Sequence, residues 1–243
     1  MTPKPIQLPV SLDEAEKGFR GLPPLKSTQE GELRREVDLA VGLFEKFLPV
    51  YYPREAILYR LDCSTAGPVF AAYLRHVLGV KAYTVLGIYV NENPTIKKDC
   101  GPESAKQAME VAGKMASSAM TKRDFMKLKA NEVEFSLLSR SIHEFVVVRR
   151  REGGFYYIDP TYRQFENPKH QEACVVDEVD AGKLREEYGL VLLDLAAQKT
   201  IRKMGFKVAS NAVELGSLGL HYHKAGLILK GMVEDRNTRL QKP

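Results

Sequence analysis

Apolar residues recur along this chain with two periods, and the switches between them mark its elements. Leu33, Val37, Ala40, Val41, Phe44 and Leu48 fall three or four residues apart, the spacing that lines one face of a helix. The same spacing returns in Val69, Phe70, Tyr73, Leu74, Val77 and Leu78 before Gly79 stops it, which predicts a buried helix whose N-terminus lies at or just after Cys63. Lys81 to Val90 reads as a strand. Further on, Ser141 to Val148 and Phe155 to Asp159 are two β-rich runs separated by Arg149-Arg-Arg-Glu-Gly-Gly154, the pattern of an antiparallel hairpin.

Between these blocks, Asn91 to Pro94 breaks the pattern. An insert rich in Lys, Met and Ala then runs from 94 to 131, with helices expected near Pro102 to Ser118 and Lys122 to Asn131. Such an insert either walls a substrate cleft or packs its methionines into the core. Downstream, Cys174 to Val179 is a short strand. Asp180 is a suitable N-cap for a long helix through Leu184, Tyr188, Leu192, Leu195 and Ala196 to about Lys203. The leucines between Asn211 and Met232 should pack as a last helix or strand pair. Residues 1–30 hold five of the 13 prolines and read as an extended lead-in, 31–235 as one domain bearing the insert, and 236–243 as a polar tail. The expected class is α+β, a helix packed on an antiparallel sheet.

Composition narrows the function classes. At 243 residues, with 44% hydrophobic and 28% charged positions, the chain can bury a full core and is not of a disordered type. No apolar run reaches the roughly 20 residues of a membrane helix, and Met1-Thr-Pro-Lys-Pro lacks the apolar centre of a signal peptide. The expectation is a protein that is cytoplasmic where it is made, with any secretion into a host or target cell using another route. Three cysteines, Cys63, Cys100 and Cys174, are too few for a disulfide framework and suit a reducing compartment. The net charge of +5 is dispersed, and Arg149 to Arg151 reads as a solvated hairpin tip rather than a nucleic-acid patch. A monomer without a cofactor or metal is expected. His221 and His223 form a His-x-His pair with no third ligand at a recognisable spacing.

Three residues carry candidate chemistry. At a helix start, free N–H groups and the positive end of the helix dipole stabilise a thiolate, so Cys63 is a candidate nucleophile whose oxyanion those N–H groups could hold. His143 opens the first hairpin strand, and Asp159 closes the second, kept extended by Pro160. Whether they meet depends on parity. If Glu152 and Gly153 alone form the loop, Arg151 pairs with Gly154, Val146 faces Asp159 and His143 lies on the opposite face. With an odd loop, Arg150 pairs with Gly154, Phe145 faces Asp159, and His143 becomes its diagonal neighbour, about 7 Å away by backbone. An oriented imidazole base therefore requires a three- or five-residue loop, or a β-bulge, with Gly153 or Gly154 at positive φ. Taken singly, the plain alternatives are a core cysteine, a structural histidine and a turn aspartate. His76, Cys100 and Cys174 read as structural or incidental.

A cysteine at a helix start, then a strand-borne histidine, then an aspartate one strand later resembles the papain-like and transglutaminase-like superfamily. Leu78 to Val90 resembles the helix exit and following strand of transglutaminase-like cores, and His143-x-x-Val with Tyr157-Ile-Asp-Pro-Thr161 resembles the base and acid segment. The resemblance covers roughly a third of the chain and implies Cys63 as nucleophile, His143 as general base and acid, and Asp159 as orienting group. The short His to Asp interval is most similar to bacterial effector and toxin domains that deamidate or cleave host proteins, and to arylamine acetyltransferases. The implied partner is a protein substrate, met at a glutamine side chain or a peptide bond. The chain departs from the pattern in having no tryptophan and no glutamine shortly upstream of Cys63, which leaves the second oxyanion donor unassigned.

Overall fold

A computed structural model describes residues 63–76, 79–117, 130–150, 154–169 and 175–194, and isolated positions among 34–38, 123–127, 197–201 and 238. The proline-rich lead-in, most of the helix expected from Gly31 to Leu48, Cys174, His221, His223 and the leucine-rich tail lie outside the described residues. Positions 34, 35, 37 and 38 are helical, and Arg34 pairs with Asp38 one turn on at 3.1 Å.

Helix α1 spans Cys63–His76. Gly79 adopts φ 66°, and Val80 donates back to the Leu74 carbonyl at 3.0 Å, a left-handed closure open to glycine at little steric cost. Strand β1 (Ala82–Tyr89) follows. The insert supplies α2 (Pro94–Cys100), capped by the Asn93 side chain, and α3 (Pro102–Ser117). Positions 123, 126, 127 and 130 are helical, within the second expected insert helix. Asn131 then caps a helix the periodicity did not announce, α4 (Glu132–Ser141), accepting from the Glu134 amide at 3.3 Å. Strands β2 (Ile142–Arg149) and β3 (Phe155–Asp159) form the hairpin, followed by a 3₁₀ turn at Tyr162–Phe165 and β4 (Val175–Val179).

Asp180 caps a helix as expected, but that helix, α5 (Ala181–Tyr188), does not continue to Lys203. Gly189 takes φ 65° and its amide closes onto the Arg185 and Leu184 carbonyls, ending the helix by the same device as Gly79. Leu190 to Leu192 then form β5 against β1. Leu192, expected on a helix face, is a strand residue.

The five strands run in the order β4-β3-β2-β1-β5, each pair antiparallel. The fold is α+β, and strand alternation divides its core by face. On one face Leu86 and Ile88 pack with Val111, Ala112 and Met115 of α3 and Leu138 of α4, so the insert does bring a methionine into the core. On the other, Phe145 and Tyr157 pack with Tyr162 and Phe165 of the 3₁₀ turn and Leu184 and Tyr188 of α5. Among the described residues no helix is long and apolar enough to cross a membrane.

Candidate functional site

The β2–β3 register decides the parity question. Arg149 pairs with Phe155, Arg150 donates to the Gly154 carbonyl at 3.3 Å, and Gly154 takes φ 68°. Three residues therefore separate the last bonded pair, Phe145 falls opposite Asp159, and His143 lies diagonal to Asp159 on one face.

The side chains complete this placement. His143 Nε2 is hydrogen-bonded to Asp159 Oδ2, with the two residues 1% and 0% exposed. The same oxygen accepts from the Tyr157 hydroxyl at 2.6 Å. Oδ1 accepts from the Thr161 amide at 2.9 Å and the Thr161 hydroxyl at 3.0 Å. A buried carboxylate with four donors has its solvation replaced by protein. Burial, reinforced by the neighbouring Asp159, holds the Tyr157 phenol well above its ordinary range, so it remains a donor. The other ring nitrogen, Nδ1, meets the Gln164 amide nitrogen at 3.2 Å. The Phe165 ring stands edge-on to the imidazole at 4.8 Å between centroids.

Cys63 is the first residue of α1 and is half-buried. Its helix has no acidic residue in its first turn, so the dipole there is not opposed from within the helix. A Cβ on Gly67 would stand 3.4 Å from Glu144 Cγ and 3.5 Å from the Glu144 carbonyl oxygen, which seats α1 on the Glu144 side of β2. Alternation puts His143 on the other side. From Gly67 to the end of α1 is about 13.5 Å at 1.5 Å per residue. From Glu144 to Val148, whose partner Ala82 opens β1, is about 13.5 Å at 3.4 Å per residue. The far part of α1 is bonded at Leu74 to Val80, two residues before Ala82 beside Val148, so α1 runs from the Glu144 level of β2 toward its Val148 end.

The structure brings His143 and Asp159 together and seats α1, which begins at Cys63, on the opposite face of β2. Both ring nitrogens of His143 have partners within its own face. Cys100 is exposed at the end of α2, with the Arg140 guanidinium 3.5 Å from its sulfur. Tyr157, Thr161 and Gln164 were not among the candidates. Tyr157 was legible, because a residue two before Asp159 on a strand shares its face. Thr161 was also legible, because an Asp commonly accepts from the amide two residues on. Gln164 carried no such signal, since only the 3₁₀ turn returns it to the imidazole. Comparison with known proteins finds no family model, no curated protein and no solved structure that matches this chain.

Proposed function

We propose that this protein is a thiol enzyme acting on an amide carbonyl, with a papain-like or transglutaminase-like core. Cys63 is its nucleophile, His143 its proton carrier and Asp159 its orienting group. The observation that carries this reading is the His143–Asp159 pair, buried and sharing a face through an odd hairpin loop, in a chain whose α1 begins at a cysteine.

The thiol proton passes to His143 Nδ1, and Sγ bonds to the carbonyl carbon. The oxyanion is held by backbone N–H groups at the head of α1. Collapse breaks the C–N bond, the proton on His143 leaves with the amine, and water or a second amine cleaves the thioester. A glutamine side-chain amide in a protein is the first substrate class, a peptide bond the second and an acyl carrier thiol the third.

Intact-mass measurement of a glutamine-bearing protein substrate tests the reading. A gain of about 1 Da signals deamidation, cleavage signals proteolysis, and a larger adduct signals transfer. Cys63→Ala and His143→Ala should each abolish the change, while Asp159→Asn should leave a remnant. Equal turnover by Cys63→Ala and wild type would overturn it.

One observation favours a second reading. With α1 across the sheet from His143 and both ring nitrogens engaged, the same cluster works as a buried clamp that ties the 3₁₀ turn to the hairpin, in a non-catalytic binding module. In that case Cys63 alkylation by iodoacetamide follows the pH profile of an ordinary thiol and is unchanged by His143→Ala.

A further inference from the structure

The hydrogen bonds around His143 close into a ring whose proton directions follow from one fact, that a carboxylate only accepts. Thr161 Oγ1, 3.0 Å from Asp159 Oδ1, must therefore donate to it and turn its lone pairs away. Gln164 Nε2 lies 3.3 Å from that hydroxyl and 3.2 Å from His143 Nδ1. A primary amide nitrogen carries two protons, one for Thr161 Oγ1 and one for Nδ1. Nδ1 then holds a lone pair, and the ring proton sits on Nε2 against Asp159 Oδ2.

We propose that Gln164 is a positioning residue for His143. Its carboxamide donates to Nδ1, holds the imidazole as the neutral Nε2–H tautomer, and withdraws or inverts before the ring can take a second proton. A proton on Nδ1 would meet the Gln164 N–H head-on. Inverting the amide relieves that but forfeits the bond to Thr161 Oγ1, whose own proton is committed to Asp159. Among the described residues, the groups against the ring are Asp159 from β3, with Tyr157 behind it on the same carboxylate oxygen, Gln164 and Phe165 from the 3₁₀ turn, and Phe145 from β2. Of these only Asp159 and Tyr157 titrate, and the Tyr157 phenol is committed to Asp159 Oδ2. Gln164 is half-buried within a four-residue turn, the most outward member of the ring. Whatever replaces it at Nδ1 must itself be a donor, such as a thiol or the N–H of a leaving amine. The catalytic meaning of this cover rests on the thiol-enzyme reading, whereas its test reads ring protonation alone.

The experiment is nitrogen NMR of the His143 ring at pH 7 in the full chain carrying Cys63→Ala, so that the thiol neither gives nor takes a proton. With Gln164 present, one protonated nitrogen, Nε2, and one lone-pair nitrogen, Nδ1, are expected. Gln164→Glu, of the same shape but acceptor only on the ring side, should abolish the lone-pair resonance and protonate both nitrogens. Gln164→Leu should leave the proton on Nε2 against Asp159 but, with no N–H opposing it, let Nδ1 take a second proton at a higher pH than in the Gln164 chain. A ring protonated at Nδ1 with Gln164 in place overturns the proposal whether or not any variant folds, and so does Gln164→Glu with an unchanged pattern. Absence of turnover by the wild-type chain, with the ring pattern as expected, would sink the thiol reading and leave this one standing.

Discussion

His143 and Glu144 are neighbours in the chain, both buried, and belong to different interiors. The His143 face is aromatic, with Tyr89, Phe145, Tyr157, Tyr162, Phe165 and Tyr188 in one cluster, whereas the opposite face beneath α3 and α4 is aliphatic. The difference is one of direction. An aliphatic cluster is stabilised in proportion to the area it removes from water and tolerates many arrangements of the same volume. Tyrosines bury comparable area and also carry a hydroxyl that must be placed. The Tyr157 hydroxyl goes to Asp159, that of Tyr188 to Asp177 at 2.8 Å, and that of Tyr162 to the Tyr188 carbonyl at 3.1 Å. The aromatic face therefore also fixes the Asp159 carboxylate and the imidazole beside it through placed hydroxyls.

The largest expected effect follows from removing that charge. Asp159→Ala leaves the Tyr157 hydroxyl, His143 N–H and both Thr161 donors buried without their acceptor, and should cost about 3–5 kcal/mol in urea denaturation. Leu138→Ala on the aliphatic face should cost about 2–5 kcal/mol, and the two faces separate in the conservative variants. Leu138→Met should recover to within about 1.5 kcal/mol of wild type, whereas Asp159→Asn places an N–H₂ among donors and should remain well below it. Equal recovery at both positions would erase the distinction between the faces.

Two glycines probe the faces at smaller amplitude. A Cβ at Gly87 would stand 2.9 Å from Phe145 Cε1 and 3.1 Å from the Val191 carbonyl oxygen, so Gly87→Ala should destabilise by about 1–3 kcal/mol. At Gly67 the nearest atom is Glu144 Cγ at 3.4 Å, an ordinary contact inside a helix. There alanine should be neutral or stabilising by up to about 1 kcal/mol. Thermal unfolding of the two variants checks the order, and a destabilising Gly67→Ala would mean that α1 lies closer to β2 than described.

The finest test is alkaline. Burial raises the phenols of Tyr157, Tyr162 and Tyr188, with hydrogen bonds or charge from Asp159 and Asp177 adding to the rise at Tyr157 and Tyr188. Groups raised on folding contribute stability that is complete below their unfolded value of about 10 and is lost as pH rises through their folded values. Urea midpoints should hold to about pH 10 and fall above it. In absorbance at 295 nm these three should ionise only as the chain unfolds. Tyr157→Phe should flatten that fall, and an equally steep fall in the variant would remove Tyr157 from its cause.

Much of the hairpin was written in local order. β-Rich runs, a Gly-Gly tip and the Asp159-Pro160 boundary set its strands, and parity alone stated the loop that would let His143 meet Asp159. The start of α1 at Cys63 and the turn at Gly79 were legible because a glycine after an apolar helical run is an inexpensive left-handed closure. The same signal at Gly189 lost to the apolar residues that continue beyond it, since Leu190 to Leu192 suit a strand or a helix until β1 offers an edge to pair with. Tertiary structure alone decided which face α1 covers and that a 3₁₀ turn carries Gln164 to Nδ1. Periodicity tells a helix which of its sides is apolar, but the side of a sheet it covers depends on the path of the chain and on what else must be buried there.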